Sequence, residues 1–495
     1  MASPASSDPF ALAKRLAGKN LIDGKLVAPQ AGKLFDVLNP ATGDFFCKAA
    51  ASDKSDVDTA VTNAAKAQKE WAKRPARERG ELVAKVGRLL LEHAEEIAQL
   101  MTLETGKAIR TECRVEAKVS ADIWNFYGGL GSELKGETVP FRPDMLTFTQ
   151  REPVGVVGAI IPWNVPLLLM ALKVCPALVA GNGVVVKSAE EAPLAVLRVA
   201  ELAQEILPPG IFNMLSGMGP DCGAPLAQHQ LVHKITFTGS VETGRIIAHM
   251  AAEKLVPVTL ELGGKSPMVV LADADLDRAV EGAVIGVRFT RQGQSCTCAS
   301  RIFVHRSLSD EFVKRLRAKV DAMKIGDPFD EATDIGSIIS KAQFEKVNSY
   351  IALGEKAGGT ANRCGQLTKD PKFAKGLFVQ PVIFTGLDNN SRVAREEIFG
   401  PITMVIPFDD YEEAITAAND TGFGLAATIW TRDLRQALQA TQRLEAGFVQ
   451  VNQNLVVQAN LSYGGIKNSG YGKEASLEAM CEHFTRKKTI IINMA

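Results

Sequence analysis

The chain has 495 residues, 46% hydrophobic and 23% charged, a composition that allows two or three domains with large buried cores. Its 56 basic and 56 acidic residues cancel, so no summed field draws it onto nucleic acid or an anionic membrane, and a small, weakly charged partner is favoured. The eight cysteines (Cys47, Cys113, Cys175, Cys222, Cys296, Cys298, Cys364 and Cys481) lack the density of a disulfide scaffold. The opening "MASPASSDPFALAKRLAGKN" has no apolar run of signal-peptide length, and both features point to a reducing cytoplasm.

In chain order, the first periodic segment starts near residue 55, where Val57, Ala60, Val61, Ala64 and Trp71 share one helical face. A second stripe runs through Leu82, Val86, Leu89, Leu90, His93 and Ile97, with His93 at the edge of a packed face rather than in a site. "TVPFRPDMLTFTQREP" reads as a projecting hairpin. "VGVVGAIIPWNVPLLLMAL" has the length of a membrane span and no charge, but Pro162, Asn164 and Pro166 interrupt it. A buried strand, a tight loop and a buried helix are expected instead.

From there, short apolar runs alternate with helix-length stretches: "VGVVGAII", "GVVVK", "FNMLSG", "HKITFTG", "VTLELGG" and "PMVVLA", too continuous to have a wet face. Strand and helix in alternation predict an α/β fold with a doubly wound parallel sheet covered on both faces. "SRIFVHR", "ITMVIPF", "AATIWT" and "GFVQVN" predict a second α/β unit from about residue 262. The final "RKKTIIINMA" reads as an apolar edge strand, and such an edge invites pairing between subunits.

Open α/β sheets bind ligands at glycine-rich turns beyond the carboxyl ends of their strands. "SGMGPDCG" (Gly217, Gly219, Gly223) and "FTGSVETG" (Gly239, Ser240, Gly244) both qualify, although neither is a G-x-G-x-x-G. Each alone is also compatible with an ordinary turn, and the two in consecutive units suggest a dinucleotide. Lys187 and Glu190 in "VVVKSAEEAP" suit the two hydroxyls of a ribose, or simply a solvated helix start. A carboxylate at that ribose repels a 2′-phosphate, which favours NAD while leaving NADP possible. "ADADLD" mimics a calcium loop but has Arg278 at the glycine position and no closing glutamate, so helix capping is the stronger reading.

"FTRQGQSCTCAS" is the remaining puzzle. A zinc site needs more ligands than His305 supplies, and a Cys296–Cys298 bond would have to close across a single residue. Packing or nucleophilic catalysis remains. A nucleophilic thiol needs a base or an electropositive setting, and Glu261 in "TLELGGKSP" offers a carboxylate at a strand end.

Together "LIDGK", "NPATGD", "PWNVP", "VVVKSAEEAP", "FTGSVETG", "LELGGKSP", "GQSC", "EEIFGP" and "YGGIKNSGYGKE" resemble the aldehyde dehydrogenase superfamily in order and spacing, over nearly the whole chain. The resemblance is to its hydrolytic branch, which oxidises aldehydes to carboxylates with NAD(P). It implies Cys296 as nucleophile, Glu261 as general base, Asn164 as oxyanion donor, and Lys173 with Glu474 as a route for the proton. Cys298 is left as a bystander or wall residue. Ile160, Trp163, Lys187, Glu190, Gly219, Gly239 and Ser240 fall on the adenosine and phosphate side of the cofactor, and Glu397 and Phe399 on the nicotinamide side. No metal is implied.

The substrate pocket by the same resemblance is Val165, Leu169, Leu172, Ser295, Thr297, Leu455, Val457 and Tyr463. Val165 and Leu172 stand where relatives often carry aromatic residues, and Tyr463 replaces the usual Phe. These positions imply a wide apolar tunnel, favouring a bulky aromatic or medium-chain aliphatic aldehyde over betaine aldehyde, an aminoaldehyde or a semialdehyde. The expected division is residues 1–132 and 152–261 for the NAD-binding domain and 262–480 for the catalytic domain. Residues 133–151 and 481–495 would form a small β bridging element that makes a homodimer or homotetramer. Three competing readings are weaker. A CoA-acylating enzyme usually lacks a base at Glu261, a thiol hydrolase lacks a convincing Cys-His pair here, and a non-catalytic protein has little reason to keep Asn164, Glu261 and Cys296 together.

Overall fold

The computed structural model describes residues 8–454 and 458–495. The β-branched runs form strands because each is buried on both faces, where branched side chains pack best. Five of them lie side by side and parallel in the order Phe212–Leu215, Gly183–Lys187, Val156–Ile160, Val232–Thr238, Val258–Glu261. The chain starts in the middle, winds outward to one side, then returns to wind to the other, so a switch point falls between Val156–Ile160 and Val232–Thr238. Short antiparallel strands not foreseen from the sequence extend both edges: the hairpin Asn20–Ile22 with Lys25–Val27, and Gly470–Tyr471 against Leu260 and Glu261.

A second sheet has the order Thr360–Arg363, Val382–Thr385, Ile402–Phe408, Arg301–His305, Pro267–Val270, Ala426–Trp430, Phe448–Val451, parallel except for the first strand. Five residues, 262–266, carry the chain from the carboxyl end of the first sheet to the amino end of the second. That short link sets the two sheets end to end. Met145–Pro153 and the final strand Thr485–Asn493 pair antiparallel over their whole length as a separate ribbon, on which Ile491 and Ile492 stay exposed.

The charge-free segment is a strand, a loop and the helix Pro166–Val179, with proline at the first helical position where its missing N–H is harmless. Among the described residues no helix is long and apolar enough to cross a membrane. Asp275 of "ADADLD" caps the helix Leu276–Val287, accepting from the Arg278 N–H at 3.2 Å. The stripe through His93 is not one helix. It breaks into Ala76–Glu92 and Ala94–Thr105, with His93 at φ −99° and ψ 10° between them.

Helices Ala76–Glu92 and Arg114–Gly129 touch backbone to backbone through small residues. A Cβ on Gly80 would stand 2.3 Å from the Gly128 carbonyl oxygen, whereas one on Gly129 would meet nothing within 4 Å. Gly80→Ala is therefore expected to lower stability by about 1–3 kcal/mol through overpacking. Gly129→Ala is expected to be neutral or slightly stabilising. Urea midpoints of the two variants check this, and equal midpoints would contradict it.

Candidate active site

The expected cofactor residues follow the carboxyl ends of four of the five parallel strands: Trp163 after Ile160, Glu190 after Lys187, Gly219 after Leu215, Gly239 and Ser240 after Thr238. The second sheet contributes its amino ends. The loop holding Cys296 leads into Arg301–His305, and the one holding Glu397 leads into its neighbour Ile402–Phe408. The Cys296 loop is shaped by close approaches. A Cβ on Gly293, at φ 63°, would fall 1.9 Å from the Gly400 carbonyl oxygen, and one on Gly264 would fall 2.4 Å from that of Cys296. The glycines of "GQSC" and "LELGG" are thus steric requirements of two loops that interlock.

All eight cysteines are free, but only Cys296 is not fully buried. Its Sγ lies 3.4 Å from the Tyr463 hydroxyl. Burial pushes the thiol up to about 11; the Tyr463 hydrogen bond pulls the other way, and the charges of Glu397 and Glu261 raise it further. Cys298 belongs to a different environment. Its Sγ points to the Val287 carbonyl at 3.3 Å and packs in the core of the second sheet, where burial pushes it up to about 12.

Glu261 ends its strand 3% exposed, and neither carboxylate oxygen has a hydrogen-bond partner among the described residues. Burial raises its pKa well above the ordinary carboxyl value, the Glu474 charge adds to this, and Lys173 and Lys473 oppose it. Glu474 is tied down where Glu261 is not: its Oε1 accepts from Lys173 Nζ at 2.6 Å and from the Thr236 hydroxyl at 3.0 Å. Asn164, 5% exposed, donates from Nδ2 to the Gln294 carbonyl at 3.2 Å, which joins the first sheet's loop to the thiol loop.

Buried ionic contacts missed in the sequence surround this core. Lys107 Nζ donates to the Asn164 carbonyl at 2.9 Å and pairs with Glu116 at 2.5 Å; Glu116 also accepts from the Leu167 N–H at 2.9 Å. Glu112 accepts from the Thr290 hydroxyl at 2.5 Å and from Arg291 Nε at 2.7 Å, just before the thiol. The only sequence signal was the spacing of Glu112 and Glu116, four apart at the start of a helix.

Two cavities adjoin at the switch point and share Trp163, Thr238, Gly239 and Ser240 in their walls. The larger, about 550 Å³, has Ile160, Lys187, Glu190 and Gly219 in its lining. The smaller, about 230 Å³, is bounded by Cys296, Asn164, Leu169, Glu397 and Phe399. The residues suit a dinucleotide. Ser240 caps the helix Val241–Glu253 at the mouth, where free N–H groups favour phosphate, and the buried Thr238 hydroxyl has no partner among the described residues. Lys187 Nζ and Glu190 lie 2.9 Å apart as a donor and acceptor pair. Glu397 accepts from the Gly264 N–H at 2.9 Å, and Gln343 holds the Phe399 carbonyl at 2.8 Å.

The expected substrate wall is only partly gathered here. Leu169 lines the smaller cavity and Tyr463 reaches the thiol, its ring edge-on to Phe448 at 5.8 Å. The Ser295 and Thr297 hydroxyls flank Cys296 and lie 3.2 Å apart. Val165 and Leu172 are packed into the main core, and Leu455 and Val457 lie outside the described residues.

A thiol pushed up to about 11 is protonated at neutral pH, so the rate of iodoacetamide alkylation of the resting protein is expected to climb without a plateau from pH 7 to pH 9. Tyr463→Phe removes the hydrogen bond that lowers the value and should slow alkylation at each pH. A plateau near pH 7 would contradict this account.

Comparison with known proteins agrees with the geometry. Residues 26–490 match the model of the aldehyde dehydrogenase family. The chain is 41% identical over 477 residues to a betaine aldehyde dehydrogenase of Rhizobium etli, covering 96% of this chain and 97% of that protein. Among solved structures, a putative aldehyde dehydrogenase from Burkholderia cenocepacia superposes with a TM-score of 0.93 at 38% identity, covering 96% and 97% of the two chains. The NAD+ complex of an aldehyde dehydrogenase from Bacillus cereus superposes with a TM-score of 0.93 at 37% identity, covering 97% of each. The chain belongs to the aldehyde dehydrogenase family.

Proposed function

We propose that this chain oxidises an aldehyde to its carboxylate through a covalent thioester on Cys296, with NAD as the hydride acceptor. The observation that carries the reading is one cavity walled by Cys296, Asn164 and Glu397, with the unpaired carboxyl of Glu261 acting on the same thiol. Cys296 gives up its thiol proton to solvent and attacks the aldehyde carbon as thiolate, while the Asn164 amide and the Cys296 N–H hold the oxygen as it becomes an oxyanion. NAD, when bound, supplies the acceptor for the hydride that leaves this carbon. Lys187 and Glu190 would hold its adenosine ribose, Gly239 and Ser240 its phosphates, and Glu397 and Phe399 its nicotinamide half. Glu261 then takes a proton from water, which attacks the thioester, breaks its C–S bond and releases the acid, with the Cys296 thiolate as leaving group. A buried carboxyl with a raised pKa is a stronger base than an exposed one, and the Lys173–Glu474 pair at 2.6 Å is the outlet for its proton.

The substrate favoured is an apolar aldehyde, bulky aromatic or medium-chain aliphatic, because Leu169 lines the cavity that Cys296 opens on and the Tyr463 side chain borders the thiol. Betaine aldehyde is the second reading, supported by the Rhizobium etli relative and by the paired aromatic rings of Tyr463 and Phe448, the first of which contacts the thiol. The exposed isoleucines of the Met145–Pro153 and Thr485–Asn493 ribbon support self-association into a homodimer or homotetramer.

NADH formation across aromatic, aliphatic, semialdehyde and ammonium aldehydes, repeated with NADP, is the test. The highest kcat/KM is expected for an apolar aldehyde, and NAD is expected to outperform NADP because the Glu190 carboxylate would face a 2′-phosphate. A clear preference for betaine aldehyde would select the second reading. Cys296→Ala should abolish NADH formation, Glu261→Gln should leave a burst of one equivalent followed by slow turnover, and Cys298→Ala should remain active. An active Cys296→Ala would refute the mechanism.

A further inference from the structure

The contacts around Asn164 are more than packing. Its side chain has to present an amide to a developing oxyanion, yet it sits in a loop between a strand and a helix, the kind of segment that ordinarily moves most. Two grips restrain that loop. Lys107 Nζ donates to the Asn164 carbonyl at 2.9 Å, and Glu116 Oε1 accepts from the Leu167 N–H at 2.9 Å, three residues further on. A 2.5 Å ion pair between Lys107 and Glu116 joins the two grips into one bracket. The Ser120 hydroxyl adds a bond to the Leu167 carbonyl at 3.1 Å, and Gln294 holds the Asn164 side-chain nitrogen from the opposite side.

Both partners of the bracket are 2% exposed in their side chains, so water contributes nothing to holding them in place. A buried ion pair seldom stabilises a fold more than apolar residues of similar shape would, whereas one that breaks leaves a costly unpaired charge, so an intact pair holds both of its partners in place. Lys107 and Glu116 lie on opposite sides of the π turn Ile109–Cys113, whose wide closure carries the Arg114 N–H to the Ile109 carbonyl. Turns of this kind recur at functional sites.

We propose that Lys107 and Glu116 are positioning residues for the oxyanion donor, setting the place of the Asn164 amide relative to Cys296 and acting on turnover through Asn164. The proposal rests on the assignment of Asn164 above. It makes the pair a determinant of kcat, with no contact of its own to aldehyde or cofactor.

A double-mutant cycle separates this from a general structural role. The paired substitution Lys107→Met with Glu116→Gln leaves no lone charge buried, and Gln still accepts from the Leu167 N–H. It is combined with Asn164→Ala, and kcat, aldehyde KM and NAD affinity by protein-fluorescence quenching are measured. Alone, the paired substitution is expected to lower kcat by about 10-fold or more, since small displacements of a catalytic group carry penalties of that order. KM and NAD affinity should move by less than about 2-fold, because uniform binding is left intact. On the Asn164→Ala background the same substitution should change kcat by less than about 2-fold.

Equal losses on both backgrounds, or no loss on the native one, would overturn the proposal. If the paired variant does not fold by circular dichroism, Glu116→Asp, which keeps the buried charge but shortens its reach to Lys107 and to the Leu167 N–H, carries the same cycle, with the same sign expected and the same additive result overturning it. An unsubstituted chain that fails to reduce NAD with every aldehyde of the panel above would overturn the functional reading and this inference together. An active chain with additive losses would overturn only the inference.

Discussion

Keeping Glu261 dry and unpaired beside a cysteine is the constraint around which the site is arranged. Taking a carboxylate out of water without a partner costs several kcal/mol, and a protein ordinarily avoids it by hydrogen bonding or by exposure. Here both are withheld, and the carboxyl answers with a pKa well above its usual range. The charge opposing it on one side, Glu474, is itself neutralised by Lys173, so the repulsion is moderated without a direct partner reaching Glu261. The segment that supplies Glu474 also supplies the hydroxyl that contacts the thiol, that of Tyr463. Tyr463 and Glu474 face each other across an antiparallel bridge, and Gly470 between them pairs with Glu261 itself. One short stretch of chain thus closes the sheet edge over the carboxyl, brings in its neighbour and contacts the sulfur.

The same physics explains a row of polar residues inside an otherwise apolar sheet. Side chains alternate along a strand, so Lys234, Thr236 and Thr238 share one face, and Thr259 and Glu261 stand beside Thr236 and Thr238 in register. None of these is more than 9% exposed. Each inner member has a partner: Lys234 Nζ meets the Thr259 hydroxyl at 2.5 Å and Thr236 meets Glu474 at 3.0 Å. Burial brings Lys234 down to about 7 and raises Glu261 well above the ordinary carboxyl value. A buried polar row is tolerable when satisfied, and its unsatisfied end is the neighbouring pair Thr238 and Glu261, beside the two cavities.

Much of this was legible in the sequence. Ten strands stand where β-branched runs predicted them, because residues buried on both faces leave an uninterrupted apolar signature. The residues assigned to the cofactor line adjoining cavities, since glycine turns and strand ends are local features. What was hidden depends on distant partners. Lys107 and Glu116 look like ordinary polar helix residues until Asn164, 57 positions from Lys107, is brought against them. "HKITFTG" read as uniformly buried because its polar face is as dry as its apolar one, so alternation gave no sign of water. The two-residue strand Gly470–Tyr471 is too short for any periodicity, and the helix break at His93 leaves the stripe of apolar residues unchanged.

The central claim is that one sulfur, and not its neighbour two residues away, carries the acyl group during turnover. Acid quenching of the protein in steady state with NAD and an aldehyde substrate, followed by peptide mass spectrometry, addresses it directly. The account predicts an adduct of aldehyde mass less two hydrogens on the peptide containing residues 289–300, with fragment ions placing it on Cys296. An adduct on Cys298, or turnover in which no cysteine is ever acylated, would contradict it.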